Sequence, residues 1–261
     1  MPILEMACGI LFGHLPSGQI RCRSYDFVDD DWKPFLTNVW HLFFKWRVDE
    51  IPWNFSDKVQ DVVKEWFFKA QWYEVYDFLE FLANEKGPIA AQAYKTLCNK
   101  VLEKELSGYR FVGNEIAPIT NKAEIAEVDQ ALEMAEEHSL IGVKKHIESA
   151  LEKLSDKKNP DYRNSIKESI SAVESLSVII AKDSKATLGQ ALKKIRDTIG
   201  LHPALERGFG AIYGYTSDEG GIRHAMIDET TCDFEDAKYM LVSCSAFVNY
   251  LIMKASKAGL T

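Results

Sequence analysis

Cysteine is scarce and unpatterned in this chain of 261 residues. The five cysteines, Cys8, Cys22, Cys98, Cys232 and Cys244, form no CxxC pair and have no histidine at finger-like spacing. That speaks against a zinc site; an odd, scattered set reads as reduced thiols of a cytoplasmic protein, packed as small hydrophobes. No run of about 18 apolar residues occurs, so no membrane span is expected. The short apolar run Met6–Gly13 follows Glu5 and lacks a basic flank, which makes a poor secretion signal. A phosphate-cradling Walker loop, a dinucleotide fingerprint and a His-Glu-x-x-His pattern are all missing, which removes the usual grounds for nucleotide hydrolysis or zinc catalysis. His138 and His146 have no carboxylate at ligand spacing and read as surface histidines. Neither a metal nor a cofactor is expected. There is no internal repeat and no low-complexity tract. A composition of 46% hydrophobic and 27% charged residues describes a globular protein of one large or two ordinary domains.

The net charge of −8 is unevenly spread. Residues 1–137 carry 14 Lys+Arg against 23 Asp+Glu, a balance of −9, whereas residues 138–261 carry 17 against 16, a balance of +1. Any contact with RNA therefore belongs more naturally to the C-terminal half.

Periodicity predicts a mainly α protein. Residues 1–25 are interrupted by Gly, Pro and Ser and receive no assignment. From Asp31 onward Phe35, Val39, Leu42 and Trp46 recur at helical spacing, with His41 read as a core or interface residue. Beyond Pro52 and a capping Ser56, the positions Val59, Val62, Val63, Trp66, Phe67 and Ala70 form a wide stripe, continued by Tyr73, Tyr76, Leu79 and Leu82. A further helix spans about 88–106. The period then changes to two: Tyr109–Val112 and Glu115–Ile119 around Gly113-Asn114 predict a small hairpin. Asn121-Lys-Ala-Glu124 has the capping-box form and opens a helix carrying Ile125, Val128, Leu132 and Ala135. The first domain is thus read as 26–137 and the second as 138–261. The second domain reads as a bundle of four or five helices, with stripes at Leu140–Leu154, Ile166–Ile180, 188–199, Pro203–Tyr213 and Phe234–Leu251.

The segment with the most chemistry is 214–226, a Gly-rich polar turn between two such helices that ends in Arg223-His224. Arginine grips a phosphate with two parallel donors, and histidine exchanges protons near neutral pH. Asp218 and the neighbouring Glu219 are placed to orient them, or to serve as ordinary turn residues. Glu174 falls on the apolar register of Ile170 and Val173, where a carboxylate needs a partner. It is read as a site carboxylate or as one half of a buried ion pair. Lys193, Lys194, Arg196 and Arg207 are candidate phosphate contacts, the plainer reading being a solvated basic face. Arg196 and His202 form a second Arg-to-His spacing, but His202 immediately precedes Pro203 and reads as a helix-entry residue.

The blocks Asn159–Glu174 and Tyr213–His224 resemble the C-terminal HEPN-type domain of AbiJ-like abortive-infection proteins. The blocks Trp66–Phe81, Ser107–Val112 and Ile116–Thr120 are similar to an N-terminal domain attached to it. The resemblance implies an antiphage defence protein whose HEPN-like bundle forms a homodimer and acts as a metal-independent endoribonuclease. It also implies a phage-derived trigger or a restraining role for the N-terminal part. In the family signature Arg precedes His by several residues, which places it near Ser217 or Asp218; here Arg223 adjoins His224. The alternative is a non-catalytic scaffold that dimerises or binds RNA.

Overall fold

A computed structural model describes residues 32–53, 56–85, 90–217 and 232–260. They are mainly helical, with one two-stranded antiparallel sheet. The chain divides into two compact units, Met1–Pro118 and Ile119–Thr261. The unassigned segment 1–25 lies outside the described residues.

In the first unit, α1 (Lys33–Asn38) carries Pro34 in its first turn, tolerated where a helix has no N–H partner anyway, and buries Phe35 and Leu36. It runs into a π-helical turn, Val39–Phe43, in which the Phe44 N–H reaches the Val39 carbonyl at 3.1 Å. The wider turn shifts the phase of the stripe. Val39 and Trp40 stay inside, whereas His41 and Leu42 turn to solvent and Phe44 is buried instead. The inward reading of Leu42 and the core reading of His41 are corrected by that one extra residue. The helices α2 (Ser56–Lys69), α3 (Trp72–Asn84) and α4 (Ala91–Lys104) complete the unit. Its core joins Trp40, Phe44, Val59, Val63, Phe78, Leu79, Tyr94 and Cys98. Phe44 stacks on Trp46 at 4.3 Å, meets Trp66 edge-on at 5.0 Å and lies tilted by 30° against Phe78 at 5.5 Å. Each such pair adds roughly 0.5–1.5 kcal/mol to the burial of its rings.

The expected hairpin is present as β1 (Arg110–Val112) and β2 (Glu115–Ala117), with Phe111 opposite Ile116 and Gly113 at a φ of 54°. Two strands of this length are not stable alone. Their outer edges are tied to helices: Asn99 of α4 accepts the Phe111 N–H at 2.7 Å and donates to its carbonyl at 3.1 Å. On the other edge the Ile116 N–H donates to the Glu80 carboxylate of α3. Side chains thus take the places a third strand would fill.

The second unit is a helical bundle of α5 (Lys122–Glu137), α6 (Ile141–Ser155), α7 (Tyr162–Ala181), α8 (Leu188–Ile199), α9 (Pro203–Ser217) and α10 (Phe234–Lys257). Asn121 caps α5 by accepting the N–H groups of Ala123 and Glu124 at 2.9 and 3.4 Å. Glu124 does not return the bond within a box; its carboxylate receives Lys238 of α10 at 3.2 Å. The hub is α7, against which α6, α8 and α10 pack. It runs antiparallel to α6, because Ser165, Glu168 and Ser175 face Ala150, His146 and Gly142 in turn. Small residues permit that approach. The Ser165 hydroxyl donates to the Ala150 carbonyl at 2.7 Å, and a Cβ on Gly142 would come within 3.2 Å of the Ser175 hydroxyl.

Helix ends repeat one device. After α4, α5, α7, α8 and α10, the residues Leu106, Ser139, Lys182, Gly200 and Gly259 take positive φ. The next N–H then closes back five residues, as from Ser107 to Leu102 at 2.9 Å and from Leu201 to Arg196 at 2.8 Å. Glycine is the usual occupant of that position. Leu106, Ser139 and Lys182 hold it with a side chain.

Candidate functional site

The candidate segment is bounded by the last turn of α9 and the first turn of α10. Asp218, Arg223 and His224, as well as Glu219, lie outside the described residues, so the described site consists of the two helix ends that flank them. On the α9 side Thr216 is fully buried, and its hydroxyl donates to the Tyr213 carbonyl at 2.8 Å. On the α10 side Asp233 and Asp236 form a reciprocal capping box. The Asp236 N–H donates to Asp233 at 3.1 Å, and the Asp233 N–H donates to Asp236 at 3.3 Å. The bonds satisfy N–H groups that α10 leaves open at its start, and two carboxylates there suit its positive end.

Tyr215, half exposed on α9, feels the charges at the start of α10. Partial burial, and then the charges of Asp236, Cys232 and Asp233, hold its phenol above the ordinary tyrosine range. Deeper along the same helices Phe209 of α9 stacks on Phe247 of α10, with Tyr250 parallel beyond it. At the start of α7, Tyr162 meets Phe234 edge-on at 6.3 Å. Aromatic contacts therefore bring the start of α7 and the body of α9 onto α10, whose first turn ends the segment. Of these rings, sequence periodicity marked only Phe247 as a packing residue, and Tyr215 carried no signal beyond its place in the block.

The other expected site residues are spread over the unit. Glu174 is half-buried on α7. Lys193 and Arg207 are exposed on α8 and α9. Lys194 pairs with Asp183 at 3.3 Å. The Asp183 carboxyl lies below its usual range, chiefly because it accepts the Lys185 N–H and then because Lys194 adjoins it. Arg196 pairs with Asp197 at 3.0 Å and with Glu206 at 3.3 Å, joining α8 to α9. Two of the four basic candidates thus have carboxylate partners within the bundle. His202 sits at the α8–α9 junction and accepts the Ala204 N–H on Nδ1 at 3.1 Å, as a helix-entry residue does.

One pair was not singled out from the sequence. His146 of α6 is half-buried and lies 2.7 Å from the Glu168 carboxylate of α7. Its partner is 22 positions away, so no local spacing announced it. Among the described residues no group of three His, Cys, Asp or Glu side chains is placed to hold a metal ion. Among them, too, no helix is long and apolar enough to cross a membrane.

No curated protein and no solved structure matches the chain. Residues 14–134 match the family model of AbiJ N-terminal domain 4, a stretch that covers the described first unit and runs into α5. That match supports an AbiJ-like protein of abortive infection.

Proposed function

We propose that the chain is a bacterial antiphage effector: a metal-independent ribonuclease of HEPN type, active as a homodimer. The observation that carries the defence reading is the AbiJ N-terminal match over residues 14–134. The nuclease reading is supported by Arg223-His224, set in a Gly-rich segment between α9 and α10 of a helical bundle. In the proposed reaction His224 removes the proton of a ribose 2′-hydroxyl, and that oxygen attacks the adjacent phosphorus. The bond to the 5′-oxygen breaks and that oxygen leaves with a proton, giving a cyclic phosphate on one product and a 5′-hydroxyl on the other. Arg223 offsets the charge that builds on the non-bridging oxygens. Asp218 and Glu174 act as orienting carboxylates. Lys193, Lys194, Arg196 and Arg207 follow the phosphate backbone, Lys194 and Arg196 exchanging carboxylate partners for phosphates. A phage-derived trigger acts through the first unit.

A second reading is favoured by one observation: Arg223 adjoins His224, whereas the HEPN signature sets them apart. In that reading the bundle is a scaffold that dimerises or binds RNA without cutting it. Incubation of the purified chain with end-labelled RNA, with and without EDTA, separates the two. The nuclease reading expects cleavage that survives EDTA and disappears in His224→Ala. Binding with no cleavage leaves the scaffold, and cleavage abolished by EDTA contradicts the metal-independent mechanism.

A further inference from the structure

Among the described residues, the helix that leads into the Arg223-His224 segment is the least embedded of the bundle. Leu201, just before α9, and Thr216, in its last turn, are buried, but no residue from 202 to 215 is. The neighbouring helices each bury an apolar stripe, which in α8 is Leu188, Ala191, Leu192, Ile195 and Ile199. Two glycines sharpen the contrast. A Cβ built on Gly208 or Gly210 would meet no neighbouring element within 4 Å. Glycine is also a poor helix former. Few buried apolar groups and weak local propensity mark an element that opens before the rest of a fold does.

The hinge for such an opening is present. Gly200 closes α8 at a φ of 63°, and the Lys254 ammonium of α10 donates to its carbonyl at 3.4 Å. With Leu201 sealed in the core, the pivot is fixed on the bundle side. Beyond it α9 is held by the stack of Phe209 on Phe247 and by an ion pair, Arg196 Nη1 to the Glu206 carboxylate at 3.3 Å. Glu206 is the only acid in α9. Arg207, its only base, lies about 100° around the helix from Glu206 and is exposed.

The ion pair stands on the basic face of α8, which carries Lys193, Lys194 and Arg196 against Asp197 alone. Arg196 commits its Nε to Asp197 at 3.0 Å and its Nη1 to Glu206, and the side chains of Arg196 and Glu206 remain 32% and 19% exposed. A phosphate drawn to α8 therefore reaches the Arg196 guanidinium and competes there with the carboxylate of α9. Once phosphate takes the guanidinium, Glu206 faces a second anion in place of its cation. Attraction at the joint between α8 and α9 then becomes repulsion.

We propose that the Arg196–Glu206 pair is a latch that RNA itself opens. Phosphate bound at Arg196 releases Glu206, α9 swings on Gly200, and the start of the Arg223-His224 segment moves with the far end of the helix. The latch rests on the RNA-contact reading of α8 and adds to it a regulation of the same site by its substrate.

Hydrogen exchange of the purified full chain, read by mass spectrometry, follows the opening of α9. Glu206→Gln should speed exchange of the α9 amides about two- to fivefold, the range for a solvent-accessible ion pair, and leave α6 and α7 unchanged. Arg196→Glu combined with Glu206→Arg should bring the rate back toward wild type, which a mere loss of packing would not do. Single-stranded oligouridylate at low salt, its binding followed by fluorescence anisotropy, should speed α9 exchange in the wild type and add nothing in Glu206→Gln. Exchange of α9 unaltered by Glu206→Gln overturns the latch. RNA that binds while α9 exchanges no faster, or more slowly, overturns the release and leaves the ribonuclease reading standing. Absence of RNA binding overturns the release together with the RNA contacts on which it rests.

Discussion

Leu106 and His202 show how a single residue reports its job through what it gives up. A leucine in the left-handed region costs about 1–2 kcal/mol, and at 91% exposure no burial repays it. Leu106→Asn is therefore expected to leave the fold intact and raise its stability by up to about 1 kcal/mol, read from a urea midpoint; a clear loss of stability would show that the side chain packs. His202 gives the opposite signature. Its Nδ1 accepts the Ala204 N–H, a structural bond at the start of α9. His202→Ala should cost about 0.5–2 kcal/mol of stability, as cap removals do, and leave RNA cleavage in place. His224→Ala should do the reverse. Arg223→Lys should lose most cleavage, because an ammonium cannot reproduce the two-pronged guanidinium grip. A His202→Ala protein that is stable but inactive would move the active histidine to the α8–α9 junction.

At the level of elements, what was legible in the sequence was what is decided locally. The Gly113-Asn114 turn fixes the hairpin, because a two-residue connection sets its own register. The Asp156-to-Pro160 stop holds because Asp156 accepts the N–H groups of Asn159 and Lys158 at 2.9 Å, which keeps its carboxyl below the usual range. What depends on a distant partner was not legible. The π turn that sends His41 and Leu42 outward answers to the packing of Phe44 on Trp46, Trp66 and Phe78, which no helical period encodes. The stripe of α5, with Val128, Leu132 and Ala135, suits either core by pattern alone; in the structure α5 packs with α10 and α6, while the family match runs through it. At the candidate site the sequence marked the segment, but not Tyr215 or the capping box that bound it. Asp233→Ala should remove that box and cost about 1 kcal/mol, measured by thermal melting. No change in the melt would mean that α10 starts without it.

The whole molecule joins an acidic first half to a nearly neutral second half, with its described thiols either sealed or at a helix entrance. Burial pushes the Cys98 and Cys244 thiols up to about 12, from 9.0 in the open chain. Both should resist a thiol reagent at pH 8, while the half-buried Cys232 at the α10 entrance reacts before either of them. The sign of the pH effect follows from raised values. The stability they contribute is fully present below pH 9.0 and is lost as the pH rises from there toward 12, because the unfolded thiols ionise first. Each thiol accounts for about 1.4 kcal/mol per pH unit within that window. A urea midpoint at pH 10.5 equal to that at pH 8 would contradict the burial.

The assignment of cleavage to Arg223-His224 is tested most directly inside a bacterium. Wild type and His224→Ala are induced side by side, with protein level, growth and RNA integrity followed in the same cultures. The account predicts that wild type arrests growth as RNA fragments appear, and that His224→Ala, at equal protein level, does neither. Growth arrest with intact RNA, or RNA fragmentation undiminished in His224→Ala, would contradict it.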